Sequence, residues 1–185
     1  YVDVGILNTL QVDRYGNVNS TVLGKYEGGQ GRRFGGPGGA DTIAAQCWRT
    51  ILMTDQQKRK FVDRVDFISS PGFLDGPGAR EKAGLPAGTG PWRTFTPWAM
   101  FGYEEKSCEL MLMAISPFVT VDMVLEEMSF MPKIAPKIET LDPPTEEELE
   151  IIRTQLDTDG QTTGRGQWIE KRDGQYVFAE TQGRE

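Results

Sequence analysis

The 185-residue chain carries 20 lysines and arginines against 27 aspartates and glutamates, a formal net charge of −7. That balance argues against a nucleic-acid surface, which wants a basic stripe. The sequence has no histidine, which removes Ser-His and Cys-His catalysis and every His-containing metal site.

Acid–base or nucleophilic work therefore falls to Asp, Glu, Lys, Tyr or Cys, or to another chain. The longest apolar run, LMLMAI at residues 110–115, is too short for a membrane span. Two cysteines, Cys47 and Cys108, make no disulfide framework. With no basic-then-apolar leader in the sequence, they point to reduced thiols in the cytoplasm.

The sequence opens on Tyr1 inside an apolar run, which suggests that an N-terminal portion precedes it. Residues 4–12 read as a buried strand. DRYGN at residues 13–17 is a turn, and VNSTVL returns as its hairpin partner. Residues 24–39 form a glycine-rich loop. Asp41 is placed to cap a helix over residues 42–48, with Ile43 and Cys47 on one face.

RTILMTD is a short buried strand, and KRKFVDRVDFIS leads into another, alternating at Val62, Val65 and Phe67. Residues 69–98 are rich in Gly and Pro and read as a long functional loop. Strand candidates follow around residues 98–101 and 110–115, separated by the acidic turn GYEEKSCE. Thr120 caps one amphipathic helix, and Thr145 with Glu148 forms a capping box for a second. Residues 1–157 are assigned to one α/β domain, and residues 158–185 to a polar C-terminal extension.

In the loop RRFGGPGGADTIAAQ, four glycines fall within five positions: Gly35, Gly36, Gly38 and Gly39. A glycine turn before a helix presents backbone N–H groups to an anion. The loop lacks the Gly-Lys-Ser/Thr of a phosphate loop and the third glycine of a dinucleotide fingerprint. Asp41 also puts a carboxylate where a pyrophosphate would sit. The loop suits a smaller, transient charge such as a thioester oxygen under attack. Taken alone, the loop reads first as a flexible turn before a capped helix.

The neighbouring residues add a resemblance. GGPGGADTIA and VDRYGNVNSTV together resemble class I coenzyme A transferases, specifically the β-subunit of the glutaconate CoA-transferase type. KRKFVDRVDFISSPGFLDGPGAREKAGLP, SPFVTVDMVLEEMSF and PPTEEELEIIR resemble further segments in the family's order, so the similarity covers residues 2–156. It implies an open three-layer α/β/α sheet of the CoA-transferase, Rossmann-like type. It implies an enzyme moving CoA from an acyl-CoA thioester to a carboxylic acid through a glutamyl-CoA intermediate.

By that resemblance Gly38 and Gly39 supply backbone oxyanion donors, since Pro37 has no N–H. Gly35, Gly36, Ala40, Arg80 and Arg93 would line the substrate or CoA site. The family's nucleophilic glutamate lies in a Glu-x-Gly motif that nothing here matches; Glu27 does not stand in its position. The implied partner is a homologous α-subunit, as heterodimer or heterotetramer. CoA is a cosubstrate, and no resident cofactor, metal, nucleic acid or membrane is implied. Where the family has His-Pro-Gly before its closing helix, this chain has Ser116-Pro117-Phe118. Two alternatives stay open: a ring-opening C–C hydrolase of the same fold, and a non-catalytic CoA-ester-binding or scaffolding subunit.

Overall fold

The apolar run at residues 4–12 divides into two short strands. β1 (Val4–Asn8) and β2 (Gln11–Val12) enter different sheets. β1 is an edge strand. Gly5 and Leu7 are buried while Val4 and Ile6 are 45% and 61% exposed, so it alternates where a buried strand was expected. The computed structural model describes residues 2–158 and the backbone of residues 168–172 and 175–179.

β2 pairs antiparallel with β3 (Val18–Asn19) across the DRYGN turn, as the sequence predicts. Gly16 takes φ +69 there, a left-handed bend that glycine adopts without penalty. β4 (Val22–Leu23) pairs with β5 (Arg32–Arg33), and Glu27 sits in an exposed single turn between them. Then come α1 (Ala40–Gln46), β6 (Arg49–Met53), α2 (Ala79–Lys82), β7 (Gly90–Phe95), β8 (Ala99–Tyr103), β9 (Leu110–Ile115), α3 (Val121–Glu126) and β10 (Lys133–Thr140).

The main sheet is six-stranded, in the order β1-β6-β7-β8-β9-β10. The β1/β6, β6/β7 and β9/β10 pairs are parallel, and β8 lies antiparallel to both its neighbours. Helices occupy the parallel crossovers, so this is the open α/β sheet expected. Leu7, Leu52, Thr94, Phe101 and Leu112 are successive register partners across five strands, and all are buried. Register partners share a sheet face. The Phe61 ring packs tilted against Phe101 with centroids 5.5 Å apart, and Val124 of α3 joins the same cluster.

Phe61 is fully buried at the middle of this cluster. Phe61→Ala is expected to destabilise the fold by about 3–5 kcal/mol, read from urea unfolding, because the cavity cannot collapse against a sheet.

Three local expectations fail, each for a tertiary reason. Residues 58–69 form no strand; Phe61 makes only an isolated bridge to Val12. Asp63 and Arg64 turn outward to ion pairs with Arg14 and Asp75, which ends the alternation. The long loop at residues 69–98 contains α2 and all of β7. β10 also went unpredicted. It is an edge strand whose register breaks between Ile134 and Glu139, around Pro136, which edge strands tolerate.

The chain divides into two units, Tyr1–Leu141 and Asp142–Glu185, whereas the sequence reading puts its boundary at residue 157. In the second unit α4 (Glu146–Ile151) carries the predicted capping box: Thr145 accepts from Glu148 N, and Glu148 accepts from Thr145 N. A hairpin of β11 (Trp168–Arg172) and β12 (Gln175–Ala179) follows. The rest of the predicted extension lies outside the described residues.

Candidate active site

The glycine loop begins pinned to the β3–β4 connection. Phe34 N–H donates to Thr21 O at 2.9 Å and Gly36 N–H to Ser20 O at 3.1 Å. After Gly36 the chain lifts away. Ala40 N–H returns to Pro37 O at 2.9 Å and closes a four-residue turn. Its central residues are Gly38, with φ +56, and Gly39, with φ −88 and ψ 0. Positive then negative φ identifies a type II′ turn, which calls for glycine first.

No acceptor among the described residues takes the Gly38 or Gly39 N–H. A Cβ added at Gly35, Gly36, Gly38 or Gly39 would meet nothing within 4 Å. The loop is therefore an open shelf of unpaired amides. Only Gly36 and Gly38 need glycine for their backbone angles, since both have positive φ.

α1 starts at Ala40, capped by Gly39, and no side chain caps it. Asp41 is in the first turn and accepts from the next residue's N–H, so the predicted Asp41 cap is replaced by the turn itself. α1 has only seven residues, so a ligand at the turn would meet individual amides rather than a long helix dipole.

The shelf rests on a buried polar network that the sequence reading did not foresee. Asn19 Oδ1 accepts from Thr21 N and Val22 N, and its amide donates to Gln11 Oε1 and Val22 O. Asn17 Oδ1 accepts from Gly72 N and Leu74 N, and its amide donates to Asp13 Oδ2 and Leu74 O. Asp13 is fully buried, and burial raises its pKa against the lowering pull of Asn17 and the Tyr15 N–H. The repeated Asn in YGNVN was the available signal: fully buried amides must have partners.

The predicted arginines separate. Arg80 is 2% exposed, and it donates to Pro71 O, Gly72 O, Ala44 O and Thr89 Oγ1. All four Nη hydrogens thus point at protein oxygens, not at a ligand site. Burial lowers its pKa, and no carboxylate among the described residues pairs with it.

Arg93 lies next to Thr94 on β7 and so on the opposite sheet face from the buried row. α1 packs on the buried-row face, where Ile43 fills the space beside Gly5. Arg93 stacks 4.6 Å over half-exposed Trp92 and donates to the Trp92 carbonyl. Trp98 packs against the core.

Local nucleophiles are suppressed. The Cys108 thiol is pushed up, first by burial and then by Glu81 and Glu104, and burial raises Tyr103 strongly. Cys47 is buried. No group of three or more metal-ligating side chains exists among the described residues.

Glu109 bridges Arg14 at 3.1 Å and Lys133 at 3.2 Å. Burial works to raise its pKa, but Lys133, Ser107 and Arg14 outweigh it and hold the carboxyl below its ordinary range. A depressed carboxylate stabilises the fold above its unfolded pKa and loses that as pH falls through the folded value. Glu109→Gln is expected to cost about 1 kcal/mol at neutral pH, an ion-pair effect discounted for solvent. The Tm difference from wild type should close as pH falls through the depressed folded pKa of Glu109.

The sheet and its crossovers form an α/β domain with an open turn of unpaired amides ahead of α1. Residues 1–127 match the family described as coenzyme A transferase. The chain is 36% identical over 154 residues to the B subunit of glutaconate CoA-transferase from Acidaminococcus fermentans, covering 83% of this chain and 57% of that protein. It is 37% identical over 152 residues to the B subunit of 3-oxoadipate CoA-transferase from Pseudomonas knackmussii, covering 82% and 58%.

The crystal structure of the Acidaminococcus fermentans glutaconate enzyme superposes with a TM-score of 0.79 at 35% identity, over 85% of this chain and 60% of that one. The decarboxylase AibA/AibB shares the fold alone, with a TM-score of 0.65 at 19% identity over 82% and 56% of the two chains. This chain belongs to the coenzyme A transferase family. It spans a little under three-fifths of the length of the two curated relatives.

Proposed function

We propose that the chain is one half of a two-subunit enzyme moving CoA between an acyl-CoA thioester and a carboxylic acid. Its partner would be a homologous α-subunit, as the names of its relatives suggest. The observation that carries this reading is the type II′ turn at residues 37–40, with the Gly38 and Gly39 amides unpaired and open.

The chemistry proceeds by four acyl exchanges. A glutamate carboxylate attacks the thioester carbon; the carbonyl π pair moves to oxygen, then returns and expels CoA thiolate, leaving an anhydride. The thiolate attacks the glutamyl carbonyl and releases the first acid, giving a glutamyl-CoA thioester. The acceptor acid then takes the CoA by the reverse two steps. Each tetrahedral intermediate carries a full negative charge on oxygen, which two fixed N–H donors stabilise.

No residue of this chain is assigned the attacking carboxylate. Gly36 and Ala40 contribute room, not donors, because Ser20 and Pro37 already take their N–H groups; Gly35 also leaves open space beside the turn. CoA is a cosubstrate, and two free thiols fit a cytoplasmic setting. No helix of the described residues is long and apolar enough to cross a membrane.

The test is borohydride treatment of the complex purified through this chain, with and without acyl-CoA. Substrate-dependent loss of activity, with reduction of an enzyme–CoA thioester seen by intact mass, is the expected result. Conversion of the acyl-CoA to free acid and CoA, with no borohydride-sensitive state, would overturn the transfer reading.

A further inference from the structure

We infer that Arg80 is a positioning residue that locks the glycine loop from behind, through the C-terminal end of α1. Helix ends leave carbonyls without intrahelical partners. Ala44 O, in the last turn of α1, is one of these and accepts from Arg80 Nη2 at 3.1 Å. The other end of α1 begins at Ala40, the residue that closes the turn holding the Gly38 and Gly39 amides.

The same guanidinium reaches three more oxygens. Nη1 donates to Pro71 O at 3.0 Å and Gly72 O at 2.8 Å, and Nη2 donates to Thr89 Oγ1 at 3.0 Å. Thr89 in turn donates to Pro86 O just ahead of β7. Gly72 N–H is bound to Asn17 Oδ1 at 2.9 Å, so this anchor leads back to the β2–β3 hairpin. That hairpin continues into Ser20, whose carbonyl holds Gly36 N–H.

The loop is thus gripped at both ends from one base. Ser20 holds it in front at Gly36, and Arg80 holds it behind at Ala44. A buried cation without a carboxylate partner is costly, and an apolar residue of similar volume would pack without that cost. Four carbonyl and hydroxyl acceptors in two directions need a planar fork, which lysine does not have.

Arg80→Lys therefore keeps the charge and loses the fork. Two measurements test the inference. The first needs no turnover: amide hydrogen exchange of the chain in its complex. In Arg80→Lys, exchange over residues 35–46 is expected to accelerate about tenfold or more, while β8 and β9 keep wild-type protection. The second is kinetic and rests on the proposed transfer reaction. kcat is expected to fall about tenfold to a hundredfold with KM for acyl-CoA within about threefold, as for misplaced transition-state donors.

Wild-type exchange over residues 35–46, or acceleration spread equally over β8 and β9, would overturn the inference. So would local acceleration with an unchanged kcat in an active complex. If the wild-type complex transfers no CoA, the function proposal fails, and exchange alone decides the role of Arg80. If Arg80→Lys does not fold, Thr89→Val decides by the same local exchange readout, since it removes one acceptor and keeps the guanidinium.

Discussion

Gly39→Val is expected to lower turnover about 10²–10³-fold, because its side chain blocks approach to the Gly38 and Gly39 amides, a loss on the scale of one missing oxyanion donor. The complex should still assemble, and the chain should lose only about 1 kcal/mol, the scale of an altered helix cap. The structure makes this a clean experiment. Gly39 has φ −88 and ψ 0, which other residues adopt, and an added Cβ there meets no protein atom within 4 Å. Neither backbone strain nor packing demands glycine at that position. Among the described residues a side chain at position 39 obstructs nothing, so it acts on the open side of the turn.

Gly38→Val is the contrasting variant. Its φ of +56 belongs to the left-handed region, so a β-branched residue costs about 1–2 kcal/mol and turns the central amide away. Activity and stability should fall together in Gly38→Val and separate in Gly39→Val. Wild-type turnover in an assembled Gly39→Val complex would remove the amide shelf from the mechanism.

Asn17→Ala is expected to destabilise the fold by roughly 4 kcal/mol in urea unfolding, from several buried partners left unpaired at once. Asn17 is fully buried, and its side chain serves Gly72 N, Leu74 N, Leu74 O and Asp13 Oδ2. The damage should reach the glycine loop, because the same hairpin presents Ser20 and Thr21 to it.

Asn17→Asp gives a pH signature. It keeps the two accepted N–H bonds but sets a second carboxylate against Asp13, whose pKa burial already raises. In such a pair the native state binds protons more tightly than the unfolded chain, so stability rises as pH falls through the raised values. Asn17→Asp should therefore regain more stability on acidification than Asn17→Ala, which only removes the Asn17 bond that lowers the Asp13 pKa. Equal deficits at all pH values would show that the Asp13–Asn17 contact is not what the substitution disturbs.

The elements legible in the sequence were those with local causes. The DRYGN hairpin, the Thr120 and Thr145 caps and the strand at residues 110–115 all appear where expected. A turn or a cap is settled within a few residues, by φ preferences and by one side chain meeting one N–H. The glycine loop was legible for the same reason, and the family's motifs gave it a chemistry.

Strands that depend on partners were harder to see. β7 opens on Gly90-Pro91 within a segment whose composition argued for a loop, and β10 contains Pro136, which gives no local strand signal. Only pairing with β6 and β9 makes them strands. Conversely, Val62, Val65 and Phe67 alternate, yet no neighbouring strand extends the pairing beyond the Val12–Phe61 bridge.

The arginines mark the boundary most clearly. Arg80 and Arg93 looked equivalent as charged residues within the glycine- and proline-rich segment. Tertiary packing buries one among four protein oxygens and leaves the other on the opposite sheet face from α1. The order of residues alone dictates where the backbone turns, where helices begin, and that a glycine shelf precedes α1. Which amides stay unpaired and which cation faces inward is settled only when the chain is folded. The physical reason is that turn geometry is local, whereas the direction of a long side chain depends on acceptors brought together from distant parts of the chain.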